Sequence, residues 1–448
     1  MRTIRSSTDD WAFFPSEDKL DITNGSGHAV SDDAVTKVQD SMNALLPILS
    51  LLLSVSVLSM AHGLVGTLLP LRGLLEGYSE TDLGVLGSVY FLGFGLGTIV
   101  GPHVISRVGH IRTFTAMAAL ICISVTLQTL LTDPIFWWIT RAITGMCLAA
   151  LYIVIESWLN ANANNDNRGM IFSVYTVVNL GVITVGQMMI STADLAAFTL
   201  FAVSMMLFAA SAIPISMTRT SAPAPACAVK LRLRLLYGLS PVAVIGAFAV
   251  GWANGAFWTL GPVFAERETG STAMVAAFMS TTVFAGAVGQ LPLGRLSDRF
   301  DRRVIIMIAA LCAALAAIGH VLASKYMQAG IIPCAIVFGL FALPLYALCV
   351  SHLNDQVEED GYVEAASGLL LLYALGAVIG PLVASAFMNY FGSSALFVFT
   401  ALVHFSLVMF AVVRICWHDA IPQEEKVAFS DTLVSTVTTA NLDPREKG

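Results

Sequence analysis

The ten residues AHGLVGTLLP (61–70) return 192 positions later as ANGAFWTLGP (253–262), keeping Ala61/Ala253, Gly63/Gly255, Thr67/Thr259, Leu68/Leu260 and Pro70/Pro262. A second stretch, LYIVIESWLN (151–160), returns at an offset of 194 as LYALCVSHLN (345–354), again with five of ten residues kept. Two matches in the same order and at nearly the same offset mark an internal duplication. Whatever the first half folds into, the second must fold into as well.

Each half is built for a bilayer. Charged residues make up 12% of the chain, about half the roughly 25% of a soluble domain. Hydrophobic residues reach 56%, in stretches that repeatedly exceed the ~20 residues needed to cross a hydrocarbon core. Twelve spans are expected, at about 44–71, 81–103, 113–132, 134–160, 168–191 and 194–216, then 240–265, 271–294, 303–323, 328–352, 363–388 and 393–416. Barrel strands would show alternating segments of about ten residues instead. The expected fold class is an all-α polytopic membrane protein whose 12 transmembrane helices form two pseudo-symmetric six-helix bundles, 44–216 and 240–416. An N-terminal tail (1–43), a linker (217–239) and a C-terminal tail (417–448) lie outside them.

The formal charge of −7 belongs largely to the tails, which hold fourteen of the thirty acids. With the N-terminus inside, nineteen of the twenty-three Lys and Arg residues fall on the inner side, Arg72, Arg267 and Lys325 fall outside, and Arg141 falls within a span. The positive-inside rule therefore puts both termini in the cytoplasm. Residues 1–43 have no basic start followed by a short apolar run and cleavage site, so they do not read as a signal peptide. The last thirty residues are polar and read as disordered. Lys230, Arg232 and Arg234, alternating with apolar residues in the linker, are expected to lie on the anionic inner leaflet. The seven cysteines lack CxxC or metal-ligand spacing and read as small core residues.

Polar groups inside spans are candidate site residues, because each must face protein or water. Arg141 lies about six residues, or ~9 Å, outward of its span's midpoint, and Gly145, Tyr152 and Glu156 share roughly its helical face. The duplication pairs His62 with Asn254. These, with Asn179, Trp252, Trp258 and Tyr373, make the expected substrate-binding set; packing roles are the alternative for the His and the two Trp. No Asp or Glu falls near the middle of a span, and Glu156, ~13 Å inward of its midpoint, is assigned to an inner gate. Proton coupling through His62 or Glu156 stays open beside facilitated diffusion. The Gly-Pro pairs in GTIVGP (97–102) and GAVIGP (376–381) read as tight helix contacts.

The loop after the eighth span reads GRLSDRFDRR (294–303). Gly294 permits close helix approach, Asp298 can accept from a helix N-terminus or an arginine, and Arg299, Arg302 and Arg303 suit a phosphate headgroup. It resembles the loop signature of the major facilitator superfamily, with Asp301 at a glycine position. RAITG (141–145) resembles a second signature of that superfamily. The first-half loop, PHVISRVGHIR (102–112), keeps Arg107, Gly109 and Arg112 but has Ser106 where the superfamily usually has Asp. In the family that acid helps lock the halves together on the inner face, so the resemblance implies another partner here. Arg107 or Arg112 is expected to pair with Glu364 or Glu156. The fifth span, with GVITVGQ (181–187), lacks the Gly-x-x-x-Gly-Pro signature of drug/proton antiporters.

Segments 155–187, 255–265, 291–303 and 364–381 resemble the bacterial YcaD-like group of that superfamily, the likeness covering about 44–416. It implies a secondary transporter working by alternating access in the bacterial inner membrane, on a substrate the group does not specify. The expected partners are a small-molecule substrate, protons and the lipid bilayer, with no nucleic acid, cofactor or metal, and a monomeric chain. Two other classes stay open beside this one. A non-transporting sensor or scaffold could keep the fold, and His352 with Asp355 loosely resembles the His/Asp pair of acyltransferases, though no nucleophile accompanies it.

Overall fold

Inside a bilayer no water satisfies a backbone N–H or C=O, so an apolar stretch must close its hydrogen bonds within itself, as a helix. The computed structural model describes residues 49–162, 168–217, 232–357 and 362–417, with Lys426 and Phe429. Among these, twelve helices are long and apolar enough to cross a membrane: Leu49–Leu75, Glu80–Val108, His110–Leu130, Pro134–Ala161, Met170–Thr192, Thr199–Ser216, Pro241–Thr269, Thr272–Arg299, Arg302–Tyr326, Gln328–Asn354, Glu364–Phe391 and Ala395–Trp417. They are referred to below as the first to twelfth spans. The tail 1–43, most of 417–448 and the linker up to residue 231 lie outside the described residues. So do the expectations placed on them.

Several helices outrun their apolar stretches by about a turn, because caps and not hydropathy stop them. The second span continues to Gly109, whose φ of 86° ends it, and the seventh to Gly270, whose φ of 60° is left-handed. Starts are equally marked. Ser79 and Asp82 form a capping box on the second span, and Asp133 caps the fourth with Pro134 in its first turn. The tenth span is broken where the fourth is not: Ile331–Ala342 and Leu345–Asn354 meet at Pro344, which lacks the N–H and the space to continue a helix.

Asp301 caps the ninth span, accepting from the Arg303 N–H at 2.9 Å, and pairs with the Arg303 guanidinium at 2.7 Å. Burial by itself would raise its carboxyl, but the hydrogen bonds and charge of Arg303 outweigh it and hold the group below the ordinary aspartate range. A depressed carboxyl contributes stability that is full above the unfolded-state value and is lost as pH falls through the folded one. Asp301→Ala should therefore cost about 1 kcal/mol at neutral pH, with the gap to the parent closing under strongly acidic conditions. Thermal unfolding across a pH series checks this; a gap that stays constant into strong acid would refute it.

The duplicated residues have a packing reason. A Cβ at Gly63 would overlap the Ile183 carbonyl of the fifth span, and one at Gly255 the Ala377 carbonyl of the eleventh. The repeated Ala-x-Gly is thus one close helix crossing made twice. The first span packs on the fifth and the seventh on the eleventh, while the second packs on the fourth and the eighth on the tenth. Pro70 and Pro262 sit inside matching helices.

The two halves meet through the second and eleventh, fifth and eighth, first and seventh, and second and seventh spans. Near the end where the first and second spans are joined, the halves touch backbone to side chain. Gly84 abuts Pro381 and Ser385, and Gly87 abuts Thr259. An ion pair between the halves, Arg267 with Glu80 at 3.1 Å, lies at the same end. This is called the Glu80 end below, and the opposite one the Asp298 end.

Candidate functional site

Beyond these contacts the halves part around a cavity of about 380 Å³, lined from the first, second, fourth, fifth, seventh, eighth and eleventh spans. Its lining is mostly aromatic and aliphatic, with one guanidinium, Arg141, and one carboxylate, Glu156. His62 stands between two hydroxyls, Tyr90 at 3.1 Å from Nε2 and Tyr152 at 3.3 Å from Nδ1. A neutral imidazole donates from one nitrogen and accepts at the other, so this bridge orders both tyrosines.

Arg141 is only 7% exposed. Its guanidinium carbon lies 4.3 Å from the centre of the Tyr90 ring, a cation–π contact. The following glycine makes that contact possible, since a Cβ at Gly145 would overlap the Tyr90 carbonyl. The Arg-x-x-x-Gly spacing therefore brings the second span's tyrosine under the fourth span's arginine. Nη1 of Arg141 has no hydrogen-bond partner. Farther along the same helix, Glu156 accepts from the Tyr175 hydroxyl at 2.9 Å through Oε1, and its Oε2 has no partner.

Of the residues expected to bind substrate, His62, Arg141, Asn179, Trp258 and Tyr373 line the cavity. Asn179 accepts from the Ser59 hydroxyl, and Tyr373 meets Tyr346 edge-on at 5.0 Å. Asn254 and Trp252 do not line it. Asn254, flanked by Gly251 and Gly255 where the seventh span is seated on the eleventh, is buried in that seam and 3% exposed. Trp252 is six residues before Trp258, about 120° around the helix, and lies against Phe248 and Phe399. The His62/Asn254 pair is therefore split between cavity and seam.

Glu156 moves the other way. Expected at a gate, it lines the cavity, because the cavity extends well past the middle of the fourth span towards the Asp298 end. Its partner is Tyr175, not Arg107 or Arg112. Glu364 is likewise engaged elsewhere: Arg232 grips it with Nε at 2.9 Å and Nη2 at 2.6 Å, and the Arg232 N–H donates at 3.0 Å. Arg107 and Arg112 are exposed, Gly109 is the positive-φ turn between their helices, and the Ser106 hydroxyl donates to the His103 carbonyl of its own helix.

At the second-half loop, Arg302 is the organising group. It is 1% exposed, reaches the equally buried Asp355 at 2.7 Å and Asp298 at 3.2 Å, and donates to Ser297 Oγ at 3.1 Å. Asp355 is thereby committed to an ion pair, not to His352. Arg303 holds Asp301, and Arg299 is exposed. Asp298 also accepts from the Phe429 N–H at 3.0 Å, while the Phe429 ring covers Gly294 and Lys426 donates to the Phe300 carbonyl at 2.7 Å. Two residues of the stretch read as disordered are thus packed on this loop.

A family model for the Major Facilitator Superfamily matches residues 51–357 and 243–440. The chain belongs to the Major Facilitator Superfamily. Among relatives, the uncharacterized MFS-type transporter YcaD of Escherichia coli O17:K52:H18 is 27% identical over 363 residues, covering 80% of this chain and 93% of the relative. That of Shigella flexneri serotype 5b is 26% identical over 361 residues, with the same coverage. The YcaD-like resemblance holds. Among solved structures, the nucleoside transporter NupG superposes with a TM-score of 0.70 at 11% identity, covering 83% of this chain and all of that one. A bacterial homologue of the lysosomal transporter Spinster, in an inward-facing and unoccupied conformation, gives 0.64 at 14%, covering 88% and 97%. At these identities the superfamily structures speak for the fold alone.

Tyr90, Tyr175, Thr259 and Gln290 line the cavity without having been expected there. Tyr90 carried a usable signal. It lies three residues after Gly87 and three before Gly93, on a helix face otherwise made of small residues.

Proposed function

We propose that the protein is a secondary transporter that moves a small organic solute across the bacterial inner membrane by alternating access. The halves 44–216 and 240–416 would rock about the cavity as a monomer, joined by a cytoplasmic linker at 217–239 with cytoplasmic tails at 1–43 and 417–448. The observation that carries this is a central cavity bounded by both halves, with their glycine contacts and the Arg267–Glu80 pair together at one end. With the termini inside, as the basic residues favour, the Glu80 end faces out and the conformation faces inward. Fluctuation between this arrangement and its opposite, biased by ligand, is all that alternating access requires.

Proton coupling is assigned to Glu156. It is the single carboxylate of the lining, one of its oxygens is unpartnered, and a proton there removes a charge that is costly at membrane depth. The test is flux of candidate solutes into proteoliposomes, with and without a pH gradient. In Glu156→Gln, gradient-driven accumulation should fall at least about tenfold while exchange across equal pH persists, because a permanently neutral group binds solute but carries no proton. Equal accumulation by parent and variant would remove the coupling role, and the lack of flux of any solute under either condition would remove the transport reading.

A further inference from the structure

The cation of the cavity has no anion. Among the described residues Arg141 forms no ion pair, its Nη1 is without a partner, and its guanidinium lies over the face of Tyr90, whose hydroxyl meets the uncharged His62. The carboxylate of the lining, Glu156, is fifteen positions along the same helix, about 22 Å at 1.5 Å per residue. The two charges sit at opposite ends of the cavity and do not neutralise each other. A buried charge left uncompensated is strongly destabilising, and a guanidinium is worse placed than an ammonium to escape, being charged at every accessible pH.

We infer that the missing anion is carried by the substrate: a monocarboxylate with a flat apolar body. The inference rests on the reading of this cavity as the transport site. A guanidinium presents a planar fork of donors that matches a carboxylate two to two, and one cation balances one negative charge. That favours a carboxylate over a phosphate monoester, whose second charge would find no partner here. The body of the ligand is set by the surfaces around it. Tyr90, Phe91, Phe94, Trp258 and Tyr373 offer ring faces and edges, which suit a planar ring or a short unsaturated chain. Gln187, 1% exposed, lines the same cavity with Oε1 unpartnered, so a ring N–H or hydroxyl on that body would find an acceptor. In the proton-coupled cycle, a monoanion on Arg141 and a proton on Glu156 would leave the loaded cavity with only the arginine's charge balanced and no acid ionised.

The test separates charge from shape. Purified full-length protein in detergent is titrated with three probes of nearly one shape, indole-3-acetate, indole-3-acetamide and tryptamine, and with benzoate and phenylacetate as smaller carboxylates. Binding is read from the shift in thermal unfolding. At least one carboxylate should stabilise the protein, and the amide and amine should bind at least about tenfold more weakly, the difference expected of a charge-assisted pair. Arg141→Met should erase the preference for acid over amide, and Arg141→Lys should keep the preference while weakening it. Should Arg141→Met fail to give a monodisperse protein, the acid, amide and amine series on the parent decides alone. The inference is overturned if no carboxylate stabilises the protein, or if amide or amine binds as well as the acid. Carboxylate binding without carboxylate flux, where another solute is carried, would overturn the assignment of the anion to the substrate, whereas absence of flux of any solute would sink the transport reading on which the inference rests.

Discussion

Gly87→Leu should cut solute flux roughly 5- to 150-fold while leaving both halves folded. Gly87 faces Thr259 across the junction between the halves, and a side chain there would overlap its Oγ1 and Cγ2. The three atoms nearest to a Cβ here all belong to Thr259 of the other half, so the strain falls first on the junction. Overpacking of this kind costs about 1–3 kcal/mol, enough to shift a two-state balance roughly 5- to 150-fold away from the state closed at the Glu80 end. A cycle that must pass through that state slows in proportion. Thr259→Gly should return part of the flux to the Gly87→Leu protein, because it removes the atoms in conflict. Gly93→Leu supplies the contrast, since its side chain would meet the Ala142 carbonyl inside the first half and should prevent folding. Flux of the Gly87 variant within about twofold of the parent would mean that the halves do not need this contact.

Arg302→Ala should destabilise the fold severely. The arginine and Asp355 are each 1% exposed and 2.7 Å apart, and Asp298 and Ser297 share the same guanidinium. Removing one partner of a buried pair takes from the other the counterion it was buried against, at about 3–5 kcal/mol. Asp355→Ala should cost a similar amount. Replacing both together, as Arg302→Met with Asp355→Leu, should cost much less than the sum, because no buried charge is then stranded. Lysine at 302 should recover only part of the loss, since an ammonium cannot serve three acceptors in a plane. Thermal unfolding of the four variants in one detergent measures this. Single substitutions that cost under about 1 kcal/mol, or costs that simply add, would show the cluster to be accessible to water.

What the sequence disclosed and what it concealed divide along physical lines. Length and hydropathy are local properties, so twelve spans were legible with several ends off by about a turn, as where Gly109 and Gly270 stop the helix and where the sixth span starts at Thr199 instead of 194. The duplication was legible because Gly63 and Gly255 each admit a neighbouring backbone, a demand that tolerates no substitute. Arg141 and His62 announced themselves as polar groups at depth. Glu156 was legible on the face of Arg141 but was assigned to a gate, because distance from a helix midpoint does not say how far along the span a cavity extends. Tyr90 and Tyr175 were hidden by their amphipathic rings, at home in any span. Arg232 and Glu364 are 132 residues apart, and nothing local to either one names the other. Asn254 and Trp252 were misplaced by treating depth as sufficient, when the azimuth around the helix decides between cavity and seam.

Phe429 has a practical consequence for anyone handling this protein. Its ring occupies the space above Gly294 that a side chain would otherwise fill, and its N–H serves Asp298. The folded body therefore does not finish with the twelfth span at Trp417. A reporter, affinity handle or protease site grafted directly behind that span would bare the glycine and take a donor from the aspartate. Any such junction must leave Phe429 in place.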